Sequence, residues 1–127
     1  MTYLLDTTVL IDTLRARNNR RALLAELVRQ GHTLSTTAMN IAEVHAGMRP
    51  SERDQTEAFL DQLRCLPITA QIGRLAGDLK SSYARKGETL QLPDMIIAAT
   101  ALENGLTLIT DNRKDFPIAE LNLYNLP

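Results

Sequence analysis

Acidic residues mark the places in this chain where apolar segments end or helices begin. Asp6 follows Tyr3-Leu4-Leu5, Glu43 lies in Asn40-Ile41-Ala42-Glu43-Val44, Asp94 follows Leu92-Pro93, and Asp111 and Asp115 share Thr110-Asp111-Asn112-Arg113-Lys114-Asp115-Phe116. An unpaired carboxylate beside a buried strand costs several kcal/mol or shifts its pKa until it is neutral. A set of converging carboxylates therefore points to a bound cation. Each acid also has a local explanation: Asp6 as a helix cap, Asn40-x-x-Glu43 as a capping box, Asp94 as a first-turn acid favoured by the helix dipole, and Asp111 and Asp115 as turn residues. The joint pattern is what favours a cation site.

The elements that must position these acids alternate between short apolar runs and longer helical ones. Strands are predicted at Thr2 to Leu5, Thr33 to Ser35, Leu66 to Ile68, Leu106 to Ile109 and Leu121 to Tyr124. Helical periodicity runs over Thr8 to Leu14, Arg20 to Gln30, Thr37 to Met48, Ser51 to Leu63, Ile72 to Tyr83 and Pro93 to Glu103. Gly31 and Asn104-Gly105 supply C-terminal stops, and Pro93 suits a first helical turn. Strands separated by helices imply an α/β fold: a central, mostly parallel sheet flanked by helices. In such sheets ligands gather beyond the carboxyl ends of the strands, where Asp6 and Asp111 would lie. Glu43 and Asp94 would join them from helices.

With 127 residues, no repeats and no linker, the chain reads as a single domain, residues 1–127, able to bury a core without cross-links. Its one cysteine, Cys65, reads as a small apolar residue entering a strand rather than as a nucleophile. The lone thiol, the absence of a signal-like N-terminus and the absence of an apolar stretch long enough to span a bilayer predict a cytoplasmic protein with no membrane association. The formal net charge is −1, but setting aside the five candidate acids leaves 10 acidic residues against 14 basic ones. Arg15, Arg17, Arg20 and Arg21 crowd one stretch, where they either hold substrate phosphates or form a solvated surface. Neither His32 nor His45 has the placement of a metal ligand: His45 is two positions from Glu43 and so on another helical face.

In its ordered motifs the chain resembles PIN-domain ribonucleases, specifically VapC-type toxins of toxin–antitoxin pairs. The resemblance runs from Tyr3-Leu4-Leu5-Asp6-Thr7-Thr8-Val9-Leu10-Ile11-Asp12 through Ile41-Ala42-Glu43-Val44 and Asp94-Met95-Ile96-Ile97-Ala98-Ala99-Thr100-Ala101 to Leu108-Ile109-Thr110-Asp111-Asn112-Arg113-Lys114-Asp115-Phe116. It implies a PIN-like three-layer fold and a metal-dependent endoribonuclease with Asp6, Glu43 and Asp94 as core acidic ligands. The fourth ligand is either Asp111 or Asp115. Thr7 and Thr110 match hydroxyl residues that shape the site. The resemblance further implies an RNA substrate, a cognate antitoxin and a homodimer.

Carboxylates and hydroxyls without imidazole or thiolate favour Mg²⁺ or Mn²⁺ over zinc. One such ion activates water for attack on phosphorus, and a second would stabilise the leaving oxygen. Two other functions compete with this one. A phosphorylatable receiver domain requires adjacent acids after its first strand and a phosphoacceptor after a middle strand, whereas Asp6 is followed by Thr7, and Asp54 and Asp61 lie in a polar helical segment. A catalytically inactive PIN-fold binding module would have little reason to keep every acidic position.

Overall fold

The computed structural model describes residues 1–127. Its strands are β1 (Thr2–Leu5), β2 (Thr33–Thr37), β3 (Arg64–Leu66), β4 (Thr107–Ile109) and β5 (Asn122–Leu123). Its helices are α1 (Thr7–Leu14), α2 (Arg20–Arg29), α3 (Ala38–Gly47), α4 (Arg53–Leu60), α5 (Ala70–Arg85) and α6 (Leu92–Asn104). Every strand pair is parallel, in the order β3-β2-β1-β4-β5. From central β1 the chain moves outward to β2 and β3, and only later returns to the other side of β1 with β4. Neighbouring strands thus leave β1 in opposite directions, the topology that opens a crevice at the strands' carboxyl ends.

Side chains alternate across this sheet and so feed two cores. Leu4 and Leu108 join Ile72 and Ala76 of α5, Met95, Ala98 and Ala99 of α6, and Phe116 in one layer. Tyr3, Leu5 and Ile109 face the other way and pack with Val9 and Leu10 of α1, Leu24 and Leu27 of α2, Val44 of α3 and Leu60 of α4. The result is the expected three-layer α/β arrangement. α6 begins with Pro93 near its N-terminus and ends at Gly105, whose φ of 63° is left-handed. Glycine adopts that conformation without the steric cost imposed on other residues.

The structure moves several predicted boundaries. β2 continues through Ser35, Thr36 and Thr37, all fully buried despite their polarity; the Ser35 hydroxyl donates to the Tyr3 carbonyl at 2.7 Å. The third strand lies at Arg64–Leu66 rather than Leu66 to Ile68, because its register is set by pairing with Ser35–Thr37 and Pro67, lacking an N–H, follows its end. Cys65 sits in this edge strand but is exposed. The Ser51 to Leu63 segment is divided into a 3₁₀ turn, Pro50–Glu52, and α4. No helix is long and apolar enough to cross a membrane.

Candidate active site

Asp6 directly follows β1 and caps α1: its carboxylate accepts the Thr7 N–H at 2.9 Å and, through its other oxygen, the Thr110 hydroxyl at 2.7 Å. Its backbone N–H donates to the Ile109 carbonyl, continuing the β1–β4 ladder to the crevice. The cap and site readings of Asp6 therefore describe one side chain. Only 4% of the residue is exposed. Burial drives the Asp6 pKa upward, opposed by the Thr110 and Thr7 hydrogen bonds and reinforced by the charges of Glu43 and Asp115.

Glu43 approaches from α3, where the Thr7 hydroxyl donates to its carboxylate at 2.7 Å. Thr7 in turn accepts from the side-chain amide of Asn40 at 3.1 Å. Asn40 is fully buried and also accepts the Thr37 hydroxyl at 2.7 Å and the Thr37 N–H at 3.1 Å, while its own N–H donates to Thr37 Oγ1. The capping box at the start of α3 is thus Thr37 with Asn40, rather than Asn40 with Glu43. This shift frees Glu43 to face the crevice. Asn40 is a positioning residue that the sequence pattern did not single out, although the Thr37-x-x-Asn40 spacing carried the signal.

Asp94 lies in the first turn of α6, half-buried, with no hydrogen-bond partner of its own. Desolvation, followed by the charges of Asp6, Asp115 and Glu43, pushes its pKa up to about 6. Asp94 therefore stays protonated in the folded protein to a higher pH than in the unfolded chain, where an aspartate titrates at about 4. Protonation stabilises the metal-free fold, and that contribution is lost as pH rises through about 6. Asp94→Asn mimics the neutral form. In chelator, its melting temperature should accordingly rise relative to wild type as pH increases from 4 to 7, a trend that thermal melts across this range would check.

The two candidates for the fourth acid occupy different surroundings. Asp115 ends a 3₁₀ turn, Arg113–Asp115, and its charge acts on both Asp6 and Asp94. Asp111 instead pairs with Arg20 at 2.6 Å. Geometry thus brings Asp6, Glu43, Asp94 and Asp115 to one crevice and turns Asp111 toward α2. The carboxylates do not form a closed cage: no three acidic side chains are close enough together to hold an ion as they stand. Such splaying is the arrangement that mutual repulsion favours.

The arginine cluster is divided among several tasks. Arg21 donates to the Thr13 and Leu14 carbonyls at 2.8 Å and so caps the end of α1. Arg15 lies 3.6 Å from Glu52, while Arg17 is exposed and its side chain makes no hydrogen bond or ion pair. His45 pairs with Glu57 at 2.6 Å, away from the acids, and His32 packs edge-on against Tyr3. A cleft of about 910 Å³, lined by residues including Leu24, Val28, Phe59 and Leu63, contains no carboxylate. Its size is no guide to the chemistry.

The PIN domain family profile matches residues 3–120. Ribonuclease VapC19 of Mycobacterium tuberculosis is 34% identical over 115 residues, covering 91% of this chain and 92% of the relative. The chain belongs to the PIN-domain family of VapC ribonucleases. Among solved structures, VapBC2 from Rickettsia felis, bound to a DNA fragment from their promoter, matches this VapC-family fold with a TM-score of 0.88 at 24% identity, covering all of both chains. A toxin–antitoxin complex from Klebsiella pneumoniae matches with a TM-score of 0.78 at 28% identity, over 97% of this chain and 96% of the other. Family membership displaces the receiver-domain alternative, and Asp54 and Asp61 indeed lie on or at the end of α4, outside the acidic crevice.

Proposed function

We propose that this VapC-family ribonuclease acts as a single PIN domain that hydrolyses internal RNA phosphodiester bonds with the help of Mg²⁺ or Mn²⁺. The observation that carries this reading is the gathering of Asp6, Glu43, Asp94 and Asp115 at the carboxyl ends of β1 and β4, where burial, reinforced by the charges of the neighbouring acids, raises the pKa of Asp6 and Asp94. All the available donors are oxygens, which suits a hard divalent cation. Asp6, Asp94 and Asp115 would hold it. When bound, such an ion supplies Lewis acidity to the phosphodiester and its attacking water.

The residues divide the remaining work. Glu43, fixed by the Thr7 hydroxyl, is placed to orient water and accept its proton. Water adds to phosphorus as the bond to the leaving oxygen breaks, giving one phosphate end and one hydroxyl end. Thr110 holds the Asp6 carboxylate in register. Arg17, free on the surface, and Arg15 beside it in sequence supply phosphate contacts along the RNA.

Incubation of the purified protein with total cellular RNA tests the proposal. Mg²⁺ or Mn²⁺ should support cleavage at internal positions and excess chelator should stop it. Cleavage at an unchanged rate in chelator would exclude the metal-dependent reading, and intact RNA under every metal condition would favour an inactive binding module. The solved toxin–antitoxin complex supports a further assignment, as the toxin of a type II pair restrained by a cognate antitoxin. The family resemblance adds a homodimer.

A further inference from the structure

Arg20 is placed where a cation is poorly accommodated on local grounds. It is the first residue of α2, only 6% exposed, and it lies at the helix end where the dipole already presents positive charge. Ala16, Asn18 and Asn19 before it all have left-handed backbone conformations, with φ between 54° and 59°, and Asn19 provides no side-chain cap for α2. Local helix chemistry explains neither the buried charge nor the strained approach. Such a conflict at an otherwise regular helix start points to a task set elsewhere in the fold.

The side chain's contacts identify the task. One terminal nitrogen donates to Asp111 at 2.6 Å and the other to the Asn18 carbonyl at 3.1 Å, while the buried Nε has no acceptor. Asp111 belongs to the turn that leaves β4. Immediately before it, Thr110 donates to Asp6; three residues after Thr110, the chain enters the 3₁₀ turn that ends at Asp115. Phe116, 2% exposed in the core, fixes the far side of Asp115. The Arg20–Asp111 pair fixes the near side.

We infer that Arg20 is a positioning residue: through Asp111 it clamps the turn that presents Asp115 to the acidic crevice, and it holds Asp111 out of the ligand set. The inference rests on the metal-dependent reading proposed above and assigns the fourth carboxylate to Asp115. It also sets Arg20 apart from its neighbours, since a buried side chain committed to a carboxylate is not a surface contact for RNA. Asp111, whose carboxylate is taken up by Arg20, fits the role of anchor.

Calorimetric titration with Mn²⁺ of wild type, Arg20→Met, Asp111→Asn, their double variant and Asp6→Asn tests the clamp without relying on activity. Loss of a partner that orients a ligand weakens metal binding or activity by roughly 10- to 100-fold. Arg20→Met and Asp111→Asn should each fall in that range, their combination should cost no more than either alone, and Asp6→Asn should lose more. Arg20→Lys, which keeps a charge for Asp111, should recover part of the affinity. Asp111→Asn alters a side chain that is 29% exposed and keeps the test open if Arg20→Met does not fold. Unchanged Mn²⁺ affinity in Asp111→Asn would overturn the clamp. So would a loss in Asp111→Asn equal to that in Asp6→Asn, which would make Asp111 a ligand. An elevated KM for RNA in Arg20→Met with unchanged Mn²⁺ affinity would make Arg20 a substrate contact and equally sink the inference. Absence of saturable Mn²⁺ binding by wild type would overturn both the clamp and the metal-dependent reading, whereas failure of the clamp alone leaves wild-type binding intact.

Discussion

Asp94→Asn is expected to lower RNA cleavage by more than about 100-fold, beyond the range for removing a residue that merely supports a metal ligand. Asparagine keeps the size of the side chain but removes the charge that would face the cation. The fold should survive, because Asp94 makes no hydrogen bond and its ionised form is opposed by desolvation and by Asp6, Asp115 and Glu43. Single-turnover cleavage at saturating Mg²⁺, alongside a thermal melt in chelator, separates the two effects. Activity within tenfold of wild type would show that Asp94 is only a first-turn acid of α6.

The second large effect concerns stability. Four carboxylates crowded at the sheet's end repel one another, and a divalent ion relieves that repulsion only in the folded state. At a concentration 100-fold above its dissociation constant, a ligand bound only to the native protein adds about 2.7 kcal/mol. For a chain of this size, that corresponds to a rise of about 10 °C in melting temperature. Asp6→Asn should lose most of this increment. The substitution isolates charge from capping, since asparagine is as good an N-cap as aspartate and leaves α1 its first hydrogen bond. Metal-free Asp6→Asn should melt no lower than wild type, because a desolvated charge has been removed. Equal metal-induced increments in the two proteins would reduce Asp6 to a helix cap.

The periodicities made the layers legible because α2 and α5 alternate core and solvent at helical spacing, α6 is an apolar run buried through its middle and bounded by Pro93 and Gly105, and β1 and β4 are nearly continuous apolar runs. β2 was cut short because Thr36 and Thr37, which carry it past Ser35, are polar residues that read as the approach to a helix, although the fold buries both completely. β3 was displaced because an edge strand of three residues takes its register from its partner. At the site, the acids were legible as types at spacings, but the difference between Asp111 and Asp115 was not. It depends on Arg20, which lies 91 residues away in sequence and reaches Asp111 only in the folded chain. Asn40 was obscured for a related reason: its amide serves the cap of α3 and the hydroxyl next to Asp6 at once, and the second task is visible only in three dimensions.

The return of β4 to the side of β1 has a consequence for the order in which the molecule comes into being. Asp6 leaves the ribosome early, but the strand that completes its crevice and the turn bearing Asp115 arrive more than a hundred residues later. Before then β1 lacks the neighbour whose Ile109 carbonyl receives the Asp6 N–H, and the Thr110 hydroxyl that holds its carboxylate has not been made. Parallel pairing across such a separation is slow because a long loop must close first. A nascent or truncated chain ending within α6 therefore carries Asp6, Glu43 and Asp94 without the means to bring them to bear. The layout that gathers the acids also delays the chemistry until nearly the whole polypeptide is present.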